Sequence, residues 1–198
     1  MPPAERREQL LDAALELIGE QGYGGVSMEG IARRAGVTKP VVYDLFGNLG
    51  GILGELMERE EKLALKQLAR SMPQPDVDSD PQQLLIEGTT AFLTAVTERP
   101  DAWRLILMPP EATPAVVRKN VDRNKARLAK QIEPLVAWGA KQIGGSLADL
   151  DTDLAARGLI VQVEHAARLA LTDPKNYPPE RFARFTKALI GAVFERGG

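Results

Sequence analysis

The stretch RREQLLDAALELIGEQGYGGVSMEGIARRAGVTKPVVYDLF, Arg6–Phe46, decides the fold. Leu10, Leu11, Ala14, Leu17 and Ile18 recur at three- and four-residue spacing, and Asp12, Glu16 and Glu20 make a charged row opposite them. That pattern predicts an amphipathic helix over Glu5–Gln21, ended by Gly22, Gly24 and Gly25. Ser27 then offers a side-chain oxygen to the free amides of a second helix, predicted over Met28–Ala35, with Ile31 and Ala32 facing inward. Gly36 permits the positive φ of a tight interhelix turn and Val37 can plug it. Thr38 is placed to cap a third helix over Lys39–Phe46, whose Pro40 sits in the first turn, where its missing N–H costs nothing.

Outward from this stretch the helical reading continues. Asn48 can cap a fourth helix running to about Met72, a rod about 37 Å long at 1.5 Å per residue. The segment PQPDVDSDP, Pro73–Pro81, cannot continue a helix and reads as a loop. Further helices are predicted over Gln82–Glu98, Ala102–Leu107, Ala115–Ile143, Thr152–Leu171 and Pro179–Arg196, with Pro134 expected to kink or break the longest. No convincing alternating strand and no internal repeat is present, so the fold class is all-α.

Composition removes several classes of function. The chain has 198 residues, room for one domain or two small ones, and its formal charge of -2 announces no global basic surface. Any contact with nucleic acid must therefore be local. It holds no Cys and a single His, His165, which excludes disulfides and leaves no realistic zinc or copper site. Without a Cys nucleophile, a Ser or Asp near His165 in sequence, or a glycine-rich phosphate motif, an enzyme is not expected, nor is a cofactor. The polar start, Met1–Gln9, lacks the apolar segment of a secretory signal, and no apolar run approaches the roughly 20 residues of a bilayer span. A cytoplasmic protein with no membrane partner is the expectation.

Three short helices, the last two joined through Ala35-Gly36-Val37-Thr38, have the proportions of a helix-turn-helix, which places its second helix in the DNA major groove. That helix presents Thr38, Lys39, Pro40, Val41 and Tyr43, while Val42 and Phe46, one turn apart, face inward. An ammonium, two hydroxyls and apolar groups suit phosphate, guanine and a thymine methyl. A plain helical hairpin with a surface Lys and Tyr is the alternative reading of the same residues.

The run Arg6–Phe46 resembles the DNA-binding domain of the tetracycline-repressor (TetR) family of bacterial transcriptional regulators. The likeness is carried in correct spacing by Ala14, Gly22, Tyr23, Ser27, Met28, Ile31, Ala32, Ala35, Gly36, Val37, Thr38, Tyr43 and Phe46. It covers about the first quarter of the chain. It implies that the third helix reads an operator, that Thr38 and Tyr43 contact DNA, and that an N-terminal helix-turn-helix domain, 1–47, precedes a C-terminal ligand-binding and dimerisation domain, 48–198. The sequence departs from the pattern after Phe46, where Gly47-Asn48-Leu49-Gly50-Gly51 stands in place of the family's Lys and Glu. A phosphate-binding Lys is thereby lost, and Met1–Gly50 holds five basic against seven acidic side chains. Weak nonspecific binding is the expected consequence. Asn48 and the amides at the start of the fourth helix could still grip a phosphate, and Ser27 joins the DNA-facing set.

In the second part, Phe92, Trp103, Leu107, Met108, Trp138 and His165 mark helices that must pack together. The resemblance implies a ligand pocket lined by Phe92, Trp103, Leu107, Trp138 and His165 and suited to a small, mostly apolar effector; a filled core explains each residue singly. Along the last helix, Phe182, Phe185, Leu189 and Val193 form one stripe, which Thr186, Ile190 and Phe194 widen beyond what one buried side needs. Two packed sides suggest a core and a partner, and the family uses its last two helices as a four-helix homodimer interface. The expected function is a ligand-responsive repressor binding a palindromic operator as a homodimer. A helical adaptor that no longer binds DNA is the alternative that the missing Lys and the acidic first fifty residues suggest.

Overall fold

The computed structural model describes the backbone of residues 2–76, 78–108 and 115–194, with the side chains of 115–122, 124, 146, 193 and 194 left aside. The described residues contain α-helices and short 3-10 turns, with no strand among them. The α-helices are α1 (Pro3–Gln21), α2 (Met28–Arg34), α3 (Lys39–Phe46), α4 (Leu49–Ser71), α5 (Pro81–Glu98), α6 (Pro100–Leu107), α7 (Ala115–Ile143), α8 (Thr152–Thr172) and α9 (Pro179–Phe194). The all-α expectation holds. Pro134 lies inside α7 without interrupting it. The end of the last predicted helix, Glu195 and Arg196, lies outside the described residues.

The chain divides into two compact units, one of residues 1–65 and 100–119, the other of 66–99 and 120–198. The first extends past residue 47 because the core of α1 to α3 is closed by α4. Leu10, Leu11, Ala14, Leu17 and Ile18 of α1, Ile31 of α2 and Val42 and Phe46 of α3 pack with Ile52, Leu53, Leu56 and Met57 of α4. The unit also takes in α6, whose fully buried Leu105 belongs to the same core. Here Asp101 closes on Gly19, where an added Cβ would meet its carboxylate carbon at 2.9 Å, and the Tyr23 hydroxyl donates to the Leu105 carbonyl oxygen at 3.4 Å.

In the second unit α5 packs against both α8 and α9. Leu93, Ala95 and Val96 of α5, Ala156, Ile160, Ala167 and Ala170 of α8, and Ile190 of α9 are buried, and the alanines allow close helix approach. Lys125 of α7 reaches Glu164 of α8 at 2.7 Å.

Candidate nucleic-acid interface and partner face

The turn between α2 and α3 is built by its backbone. Val37 donates to the Ala32 carbonyl at 2.9 Å and Gly36 to the Arg33 carbonyl at 3.3 Å, the paired bonds that close a helix through a left-handed residue, and Gly36 sits at φ +67°. Val37 packs on the core, so the turn is fixed from within. Ser27 caps α2, its Oγ accepting from the Gly30 amide at 3.0 Å. Asn48 caps α4 in the same way, its Oδ1 accepting from the Gly51 amide at 3.0 Å.

Thr38 departs from its expected capping role. It occupies the position before α3 but its side chain makes no cap hydrogen bond. Pro40 has no amide to offer, and the Val41 amide is taken by the Thr38 carbonyl at 3.1 Å. The Thr38 hydroxyl is consequently left on the surface with its hydrogen-bonding capacity intact.

Val42 and Phe46 are buried, and this orientation turns Thr38, Lys39, Pro40 and Tyr43 outward as an exposed set, with Val41 half-buried beside them. Ser27 and Asn48 are exposed as well. The structure therefore brings all seven residues of the DNA-facing set to the first unit's surface at α2, α3 and the start of α4. Charge is arranged less simply than the sequence suggests. Lys39 Nζ lies 3.8 Å from Glu29 Oε2 and 6.0 Å from the centre of the Tyr43 ring. Arg34 is held by Glu16 and Glu20, and its guanidinium, hydrogen-bonded to Glu20, holds that carboxyl below its usual range. Arg7 pairs with Glu55 at 2.8 Å while stacking 4.8 Å over the Phe46 ring. Arg33 is exposed, with no ion pair among the described residues. Glu29, the partner of Lys39, carries no motif signal: the two residues are ten positions apart and meet only through the turn.

The residues expected to line a pocket fall in both units. Trp103 and Leu107 are buried in the first. Phe92 and Trp138 are half-buried on α5 and α7 in the second, and His165 is exposed on α8. His165 lines a groove of about 430 Å³ together with Leu85 and Thr89 of α5 and Phe182, Phe185 and Leu189 of α9. The structure thus brings His165 to the stripe assigned to a partner, whereas Phe92 and Trp138 line neither this groove nor a second one of about 380 Å³ between the end of α4 and α5.

On α9, Phe182 is half-buried while Phe185 and Leu189 stand 54% and 43% exposed. The side chain of Val193, the fourth member of the stripe, lies outside the described residues. The expected two-helix interface includes α8, but sequence reasoning named no residues on it; there Leu154 and Val161 are 64% and 66% exposed, opposite the buried Ala156, Ile160 and Ala167. The seven-residue spacing of Leu154 and Val161 was the available signal. No described helix is long and apolar enough to cross a membrane, and no described cluster of His, Asp or Glu could hold a metal ion.

Comparison with known proteins bears on both units. The model of the bacterial regulatory proteins, tetR family, matches residues 10–56, from α1 into α4. The chain is 31% identical over 106 residues to the HTH-type transcriptional activator FasR of Mycolicibacterium smegmatis, a match covering 54% of this chain and 47% of that one. It thus spans about half the length of that relative. Among solved structures, a TetR-like transcriptional regulator from Rhodococcus sp. RHA1 superposes with a TM-score of 0.74 at 23% identity, covering 98% of both chains. The fatty acid degradation regulator FadR from Bacillus halodurans superposes with a TM-score of 0.71 at 17% identity, covering 93% of this chain and 94% of that one. At these identities the structural likeness speaks for the fold, which extends over both units.

Proposed function

We propose that this chain is a regulator of the TetR family, whose model matches residues 10–56, and that it acts as a cytoplasmic, homodimeric repressor that binds a palindromic operator through α3 and is released by a small, mostly apolar effector. The observation that carries the reading is the exposed set of α3, Thr38, Lys39, Pro40 and Tyr43, held outward by the burial of Val42 and Phe46. Thr38 and Tyr43 supply hydroxyls for phosphate, Lys39 an ammonium for phosphate or guanine, and Pro40 and Val41 apolar contact for a thymine methyl. Ser27 and Asn48 sit at the starts of α2 and α4, where a phosphate gains from neighbouring amides.

A palindrome calls for two copies, whose recognition helices must lie about 34 to 36 Å apart to enter successive major grooves. The exposed Leu154 and Val161 of α8 with Phe185 and Leu189 of α9 support a partner of the same kind on the second unit. For the effector the reading takes the second unit, with Phe92 of α5 and Trp138 of α7, both half-buried, as candidate hydrophobic contacts. It need only favour the non-binding arrangement by a few kcal/mol to release the operator.

Selection of bound sequences from random duplex DNA, followed by light scattering of the protein alone and on the selected site, tests this reading. A selected palindrome bound by two chains is expected. Failure to enrich any sequence overturns it, and enrichment of an unrepeated half-site overturns the dimer. A reporter gene downstream of the selected site decides the sign of regulation, since FasR is described as an activator.

A further inference from the structure

We propose that Glu29 is a specificity-determining residue of DNA binding, which restrains Lys39 and so suppresses attachment to DNA of arbitrary sequence. The inference rests on the reading of α3 as the operator-binding helix. Lys39 is the only cation from Val37 to Asn48. Its ammonium lies 3.8 Å from the Glu29 carboxylate, with side chains 52% and 72% exposed. Glu29 is fixed in the first turn of α2, which Ser27 caps, and a carboxylate there is favoured by the helix dipole.

Sequence-independent affinity for duplex DNA comes almost wholly from cations that neutralise phosphates and release counterions. A carboxylate within ion-pair distance of the recognition helix's one ammonium competes with a phosphate for it. Arg34 is committed in the same manner to Glu16 and Glu20, and Arg7 to Glu55, whereas Arg33 is exposed without an ion pair among the described residues. An exposed pair of this kind is weak, so a site whose remaining contacts to Thr38, Tyr43 and Val41 are all made can separate it, whereas an arbitrary sequence cannot. Glu29 thereby converts α3 from a general phosphate binder into one that engages only when its neighbours do.

The test uses the full chain and two fluorescent duplexes, one of scrambled sequence and one recovered by selection, titrated across a salt series. Glu29→Gln keeps the side chain's size and removes its charge. It should tighten binding to the scrambled duplex several-fold and steepen its salt slope by about one, with a smaller gain on the selected site, so that the ratio between the two falls. In a Lys39→Gln background the same change should give no such gain. Unchanged affinity for scrambled DNA in Glu29→Gln overturns the proposal. So does an equal gain with and without Lys39, which would make Glu29 one negative charge among many. Wild-type protein that binds neither duplex overturns the operator-binding reading itself, and this proposal with it.

Discussion

The Tyr23 hydroxyl donates to the carbonyl oxygen of Leu105, 82 residues further along the chain, and so pins α6 to the unit that carries the recognition helix. Two further contacts act at the same place: Leu105 is fully buried in the core of that unit, and Asp101 lies against Gly19. A helix lying between α5 and α7 in sequence therefore has its packing partners in α1 and the turn that follows it. Movement of α6 would disturb the seating of α1, on which α2 also packs.

Tyr23→Phe keeps the ring and removes the bond, and should cost about 0.5 to 1.5 kcal/mol of stability in denaturant unfolding. Burial pushes the Tyr23 hydroxyl well above its usual pKa of 10. The charged form is thus disfavoured in the folded state, and the associated stability is present in full below about pH 10 and lost as the pH climbs from there toward the folded value. Tyr23→Phe should unfold with a flatter pH dependence in that alkaline window. An identical alkaline profile for the two proteins would place the titration elsewhere.

Tyr43→Phe separates packing from recognition. The ring is 43% exposed and near Lys39, so removing the hydroxyl should leave stability unchanged to within about 0.5 kcal/mol. Operator affinity should fall by about 0.5 to 3 kcal/mol, toward the upper end if the partner is a phosphate. Equal operator affinity of variant and parent in anisotropy titrations would remove Tyr43 from the DNA contacts.

How far the sequence discloses this arrangement depends on how local the cause is. Gly36, Val37 and Pro40 specify the turn and the third helix within a few residues, and the pairing of buried Val42 and Phe46 follows from one helical turn. The missing cap at Thr38 is just as local, but it requires counting which amides remain once Pro40 and the Val41 bond are set aside. The allegiance of α6 is not local at all: Asp101 and Leu105 find Gly19 and Tyr23 only after the chain has folded. On α8 the ambiguity is one of faces. Apolar residues at Leu154, Ile160, Val161 and Ala167 satisfy helical spacing for two opposite stripes, and only packing against α5 decides that Ile160 and Ala167 go inside.

The partner face can be tested by charge. Phe185→Glu and Val161→Glu each put a carboxylate on an exposed apolar position, 54% and 66% open in the single chain, so neither should unfold the protein. Both should yield monomer by light scattering, because a desolvated unpaired charge costs several kcal/mol in an apolar contact. Operator affinity should fall steeply as each half-site loses its partner's contribution. A dimer that survives both substitutions would lie on a different surface.

The effector is best sought with the two tryptophans, because they report on different units. Trp103 is buried in the unit that holds α1 to α3, and Trp138 is half-buried on α7 in the other. Trp103→Phe leaves Trp138 as the only indole, and Trp138→Phe leaves Trp103. An effector seated beside Phe92 and Trp138 should change Trp138 emission directly, through contact or displaced water. Trp103 emission should change only if the binding event alters the packing of the DNA-binding unit. Both signals should then follow the same concentration dependence as operator release, since one equilibrium governs all three. Linkage adds a quantitative demand: the factor by which effector weakens operator binding must equal the factor by which operator weakens effector binding. A compound that releases DNA while leaving Trp138 emission unchanged, and whose affinity is undiminished in Trp138→Ala and Phe92→Ala, would place the effector site away from these rings. A shift in Trp138 that saturates well before operator release begins would show binding without coupling.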